Sequence, residues 1–167
     1  MIILLLDERQ FGVADAYIIN SWNEAENQWI FPNLVGGLSQ YRAQLPINAA
    51  APILIFDHLS VTSKKDRRQG LGSAGMLLTM RYFRSKGARV AFLRIATQDD
   101  DWYKGKIWRQ KMYEKLGWIV LDNHDSEQGD VPIMWHPMRG DLSCPRIDEV
   151  ELSLDDEDLN PIPFLDI

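Results

Sequence analysis

Val61-Thr62-Ser63-Lys64-Lys65-Asp66-Arg67-Arg68-Gln69-Gly70-Leu71-Gly72-Ser73-Ala74-Gly75 leads from an apolar run through a basic turn into a segment of helical periodicity, and the chain is read outward from it. The first amides of a helix have no partner inside the helix and sit at the positive end of its dipole. A phosphate group fits such a place. Gly70 and Gly72 carry no Cβ, so a ligand oxygen can come close to the main chain, while Lys64, Lys65, Arg67 and Arg68 add mobile positive charge and Ser73 a hydroxyl donor.

Three kinds of phosphate loop compete for this pattern. The lysine-serine type needs Lys and then Ser or Thr directly after its last glycine, and Met76 and Leu77 follow Gly75 instead. Gly70, Gly72 and Gly75 spell the dinucleotide G-x-G-x-x-G, but its first glycine belongs almost directly after a strand, and here polar Thr62 to Gln69 intervene. The acid that should end the next strand is also missing from Val90 to Ile95. The third kind is a resemblance. Arg67-x-x-Gly70-x-Gly72 resembles the R/Q-x-x-G-x-G/A signature of the GCN5-related N-acetyltransferases (GNAT), which grips the pyrophosphate of acetyl-CoA. Leu59-Ser60-Val61 resembles that family's fourth strand, Gly87 to Ile95 its fifth, and Met112-Tyr113-Glu114-Lys115-Leu116-Gly117-Trp118 its tyrosine helix end. All four stand in the family's order between Ile53 and Met138.

The resemblance implies an α/β fold, a mixed central sheet flanked by helices. It places the cofactor's diphosphate on Arg67, Arg68, Gln69, Gly70, Leu71, Gly72 and Ser73, and its pantetheine arm on the main chain of Leu59, Ser60 and Val61 where the fourth and fifth strands splay. Tyr113 aligns with the tyrosine that protonates the departing thiolate. A general base belongs on the fourth strand, where Asp57 and His58 are the candidates and strict alternation lets only one of them face the cleft. Lys106 and Arg109 stand where many members carry Asn and Ala that contact CoA, so they either strengthen the grip on its phosphates or obstruct the pantetheine path. Two functions follow. One is an acetyl-CoA-dependent N-acetyltransferase acting directly on an amine, a protein lysine or a small molecule, since no cysteine in the motif region offers a covalent route. The other is an inactive module of the same fold that binds a partner.

Composition sets the remaining bounds. A chain of 167 residues, 46% hydrophobic and 10% aromatic, builds one domain with a proper core. Its single cysteine, Cys144, makes no intramolecular disulfide, which suits a reducing, cytoplasmic setting. Met1 to Leu6 is apolar but breaks at Asp7-Glu8-Arg9 and reads as a buried strand rather than a targeting segment. The net charge of -6 is uneven: residues 141–167 carry -8 and the remainder +2. This divides the chain into a domain over 1–140 and an acidic, extended or disordered tail over 141–167, expected to contact a basic partner or the protein's own basic loop. No basic stripe for nucleic acid runs along the body. Asp99-Asp100-Asp101 reads as solvated loop, and no metal is expected.

Periodicity supplies the elements. Phe11, Ala14, Ile18 and Trp22 follow helical spacing and predict a helix over 11–22, with a second helix over 34–45. Trp22, Trp29 and Phe31 then border an acceptor cleft or pack back on the core. The family's β-hairpin before its fourth strand has no room in Ile47 to Ala51. Strands are predicted over 53–61, 90–95, 118–121 and 131–135, helices from Gly70 to Lys86 and over 106–116, with packing complete by Arg139.

Overall fold

A computed structural model of the chain describes residues 1–22, 45, 51–95, 102–121, 125–126, 129–130 and 133–154, with the backbone alone at 102–107, 125–126 and 129–130. Its elements run β1 (Ile2–Leu6), β2 (Arg9–Ile19), β3 (Ile53–Val61), α1 (Leu71–Ser85), β4 (Val90–Arg94), α2 (Trp102–Lys115), β5 (Ile119–Val120), β6 (Asp125–Ser126), β7 (Gly129–Asp130), β8 (Ile133–His136) and β9 (Val150–Leu154). Seven strands form one mixed sheet in the order β5-β8-β4-β3-β2-β1-β9, and β6 and β7 form a separate small hairpin. Among the described residues only β3 and β4 pair in parallel, joined by the crossover through α1. Among the described residues no helix is long and apolar enough to cross a membrane, and no group of acids, histidines or cysteines is placed to hold a metal.

The predicted helix over 11–22 is a strand. Asp7 and Glu8 both take left-handed backbone angles (φ 49° and 63°) and form the two-residue turn that reverses β1 into β2. Helical spacing arose by coincidence from a strand with an irregularity: Leu4 pairs with Gly12 but Leu5 with Gln10, so Phe11 is an extra residue and the inward parity changes there. Phe11 and Ala14 enter the core on the α1 side of the sheet, whereas Ile19 and Trp22 enter the cluster on the other side with Ile53, Ile55 and Phe92. Trp22 is therefore a core residue, its ring edge-on to Phe92 at 6.0 Å. Residues 47–50, where the family's hairpin has no room, lie outside the described residues, and β1 and β2 form a hairpin at the start of the chain. Trp29, Phe31, Asp99 to Asp101 and all of the predicted second helix but Leu45, which is buried, lie outside the described residues.

The packed part does not end at Arg139. Leu142, Ile147 and Val150 are buried in the α1-side core, and β9 pairs antiparallel with the whole of β1, from Ile2 opposite Leu154 to Leu6 opposite Val150. Two arginines of α1 fasten the approach to this strand: Arg81 Nε donates to the Leu142 carbonyl at 2.6 Å and Arg84 Nη1 to that of Gly140 at 2.8 Å. The boundary expected at 140/141 and the loose arm expected from Asp141 thus give way, through Leu154, to an integral strand. Residues 155–167 lie outside the described residues.

Close approach explains two glycines. A Cβ on Gly75 would lie 2.7 Å from Leu4 Cδ1, and one on Gly12 would lie 2.5 Å from the Ser60 carbonyl oxygen. A leucine methyl can move and a sheet carbonyl cannot. Gly75→Ala should therefore cost about 1 kcal/mol net, because a helix-interior alanine recovers about 1 kcal/mol of propensity. Gly12→Ala should cost about 3 kcal/mol or more. Urea denaturation of the two variants checks the order.

Candidate functional site

The site is built where β3 loses one of its neighbours. β3 pairs with β4 only from Ile53 opposite Val90 to Phe56 opposite Leu93, whereas its pairing with β2 runs on to Val61 opposite Gly12. Among the described residues, Asp57 to Val61 therefore has a strand on one edge alone. A bulge marks the parting: Asp15 pairs with His58 and Ala16 with Phe56, leaving Asp57 as the extra residue, and an added residue bends a strand. The phase of the remaining ladder follows from Thr62, whose N–H donates to the Phe11 carbonyl at 2.9 Å. Alternation then turns the N–H and C=O of Ser60 toward β2 and those of Leu59 and Val61 toward the open edge. Arg67 Nε donates to the Val61 carbonyl at 3.1 Å, as that direction requires. Leu59 and Val61 thus turn their peptide groups to the open edge, and Ser60 turns its own to β2.

The same bulge alters the side chains. Leu54 and Phe56, and beyond the bulge Leu59 and Val61, all pack toward α1. Asp57 and His58 are both exposed, Asp57 as the extra residue that lies outside the regular alternation. The nearby Tyr17 phenol is pushed up by burial and secondarily by the charge of Asp57.

From Val61 the chain passes through a 3₁₀ turn at Lys64–Asp66 into α1. The first α-helical bond is Ala74 N–H to the Gly70 carbonyl at 3.0 Å, which leaves the amides of Leu71, Gly72 and Ser73 ahead of it, and no side chain caps the helix. Gly70 has φ 79° and needs glycine for its backbone. Gly72 is different: a Cβ there would meet only Val61 Cγ2 at an ordinary 3.4 Å, so packing gives no reason for a glycine. Arg67, Arg68 and Gln69 are exposed. Two ties hold this loop. Arg9 grips Asp66 through both guanidinium nitrogens, at 2.7 and 3.0 Å, and that hydrogen bonding holds the nearly buried Asp66 carboxyl below the usual carboxylate range. Arg146 Nη1, from the segment before β9, donates to the Gln69 main-chain carbonyl at 3.2 Å. This contact is a cation on a carbonyl, not the expected acid of the tail on a base of the loop.

α2 carries Tyr113 to within two ring contacts of the end of the β3–β4 pairing. Tyr113 packs on Trp118 with ring centroids 6.5 Å apart, and Trp118 packs in turn on Phe56, the last residue of β3 that pairs with β4, at 6.0 Å. Burial pushes the Tyr113 phenol up, with the Arg109 charge opposing, and no hydrogen bond occupies its hydroxyl among the described residues. Arg109 is half-buried, Trp108 is exposed, and the Lys106 side chain lies outside the description.

His136 completes this corner and was not singled out in the sequence. Its Nδ1 accepts the Met138 N–H at 2.9 Å, so Nε2 carries the proton and donates to the Leu116 carbonyl at 3.0 Å. The ring lies edge-on to Trp118 at 5.5 Å, and a Cβ on Gly117 (φ 91°) would come within 2.8 Å of Nε2. Gly117 thus closes α2 for two reasons, a left-handed backbone and the histidine behind it. The signal available was a histidine closing the apolar run Ile133-Met134-Trp135.

No family sequence model and no curated protein sequence matches the chain. Solved structures do. An acetyltransferase superposes with a TM-score of 0.50 at 15% identity, over 82% of this chain and 69% of that one. The polyamine N-acetyltransferase of Drosophila melanogaster, which forms N-acetylagmatine, gives 0.50 at 14% identity over 80% and 71%. The chain has the GNAT fold. Relative to Ard1 from Thermoplasma volcanium, matched at a TM-score of 0.45 and 15% identity over 78% of this chain, it spans 64% of the length. In this version of the GNAT fold the edge strand beside β1 comes from β9.

Burial lowers the His136 pKa, with the charge of Arg84 adding to it and the Leu116 carbonyl opposing. The folded state then resists a proton that the unfolded chain accepts below about pH 6.5. Stability from this group is full above that pH and is lost as pH falls from it through the lowered folded value. Urea midpoints measured at pH 7.5 and 5.5 should show the loss in the wild type and a flatter dependence in His136→Gln.

Proposed function

We propose that the chain is an acetyl-CoA-dependent N-acetyltransferase passing its acetyl group directly to an amine. The observation that carries this reading is the five-residue half-paired edge of β3, ending beside an uncapped helix start. The residues fit the cofactor. An extended arm with amide groups adds to an open strand edge by main-chain hydrogen bonds, here to Leu59 and Val61. A diphosphate suits the amides of Leu71, Gly72 and Ser73, with Arg67, Arg68 and Gln69 exposed around them, and a ligand's approach gives Gly72 the reason that packing does not.

When bound, acetyl-CoA supplies an activated thioester carbonyl. The Leu59 N–H, fixed in the sheet, donates to an oxygen that gains charge as the amine attacks. The Tyr113 phenol is protonated at neutral pH as any tyrosine is, burial raising its pKa further, and it would give its proton to the departing sulfur. Asp57 and His58, exposed at the bulge, are our candidates to take a proton from the amine, directly or through water. The cytoplasm, where acetyl-CoA is made and used, is the setting this reading implies. The acceptor is an amine, a class represented among the fold's neighbours by the polyamine enzyme.

Isothermal titration should show saturable binding of acetyl-CoA, and a folded protein that binds none at millimolar ligand rejects the reading. With a panel of amines, thiol release should fall about 10²-fold or more in Tyr113→Phe while KM for acetyl-CoA holds. Binding without thiol release for any amine would instead favour the inactive module.

A further inference from the structure

Gln69 precedes Gly70 in the glycine loop and is bonded both within the loop and to the segment before β9. Its main-chain carbonyl accepts from Arg146 Nη1 at 3.2 Å, its side-chain Oε1 accepts from the same nitrogen at 3.4 Å, and its Nε2 donates to the Lys65 carbonyl. Arg146 is itself set by Glu149, whose two carboxylate oxygens take Nε at 2.9 Å and Nη2 at 3.1 Å. This leaves one guanidinium nitrogen for Gln69, held in a fixed plane.

The peptide between Gln69 and Gly70 joins the turn that contains Arg68 (φ 59°) to a residue at φ 79°, and glycine offers little resistance to its turning over. A trans peptide points its carbonyl and its N–H in opposite directions, so whatever grips the Gln69 oxygen also sets the Gly70 N–H and the entry into α1. We infer that Arg146 is a positioning residue for the proposed CoA-binding loop, acting through the Gln69 carbonyl and dependent on Glu149 for its own orientation. The inference rests on the CoA reading above. It assigns a role in cofactor binding to a segment outside the stretch that resembles GNAT.

Glu149 decides between positioning and plain charge. If Arg146 works by holding the peptide, Glu149→Ala releases the guanidinium and weakens CoA binding. If Arg146 only adds positive potential near the phosphates, the same change removes a competing carboxylate and tightens binding. Titration of CoA into the wild type, Arg146→Ala and Glu149→Ala at one ionic strength separates these, with thermal midpoints recorded for each. Loss of one such hydrogen bond corresponds to a Kd raised about tenfold in both variants, with KM for acetyl-CoA raised and kcat unchanged. A Glu149→Ala protein that binds CoA as tightly as the wild type or more tightly overturns the inference, and so does an unaltered Arg146→Ala. Wild-type protein that binds no CoA removes the functional reading first, and this proposal with it.

Discussion

Among the described residues β3 is held on both edges for its first four paired residues and on one edge after Phe56, and the site is arranged around that change. A buried sheet does not leave peptide groups without partners at no cost, so an open edge persists only where something fixes it and something else can use it. The bulge at Asp57 fixes it by bending β3 while β2 stays paired throughout. Phe56 marks the fork from the core side, and through Trp118 it sets where the Tyr113 ring lies.

The loop that follows β3 is controlled from the outer half of the sheet. Arg9 opens β2 and grips Asp66, while Arg146 precedes β9 and grips Gln69, and β2 and β9 are the two neighbours of β1. A loop containing left-handed residues at Arg68 and Gly70 is thus tied near both ends to one rigid unit. Each tie is an arginine held bidentately by a carboxylate, which restricts orientation more than a single lysine contact does.

Much of the fold's second half was legible because its signals are local. Gly70, Gly87 and Gly117 all take positive φ at helix boundaries, and the apolar runs before and after α1 are the strands they appeared to be. The first half was misread for a physical reason: Phe11 to Trp22 has helical spacing only because an extra residue changes the inward parity of β2. The turn before it, Asp7-Glu8, lacks the Asn or Gly that advertises a two-residue hairpin. β9 was overlooked beneath the tail's charge, although Val150-Glu151-Leu152-Ser153-Leu154 alternates as a half-buried strand should. At the candidate site, residue types were readable and directions were not. That Ser60 turns to β2, that Asp57 escapes alternation, and that His136 stands behind Gly117 all depend on partners distant in the chain.

β1 lies between β2, which follows it at once, and β9, whose residues emerge from the ribosome roughly 150 positions later. Until Leu154 has been synthesised, the first strand has one bare edge, and Leu142, Ile147 and Val150 are missing from the α1-side core. Completion of this sheet is therefore a late, non-local step, the kind that slows folding and leaves a nascent chain dependent on protection from aggregation.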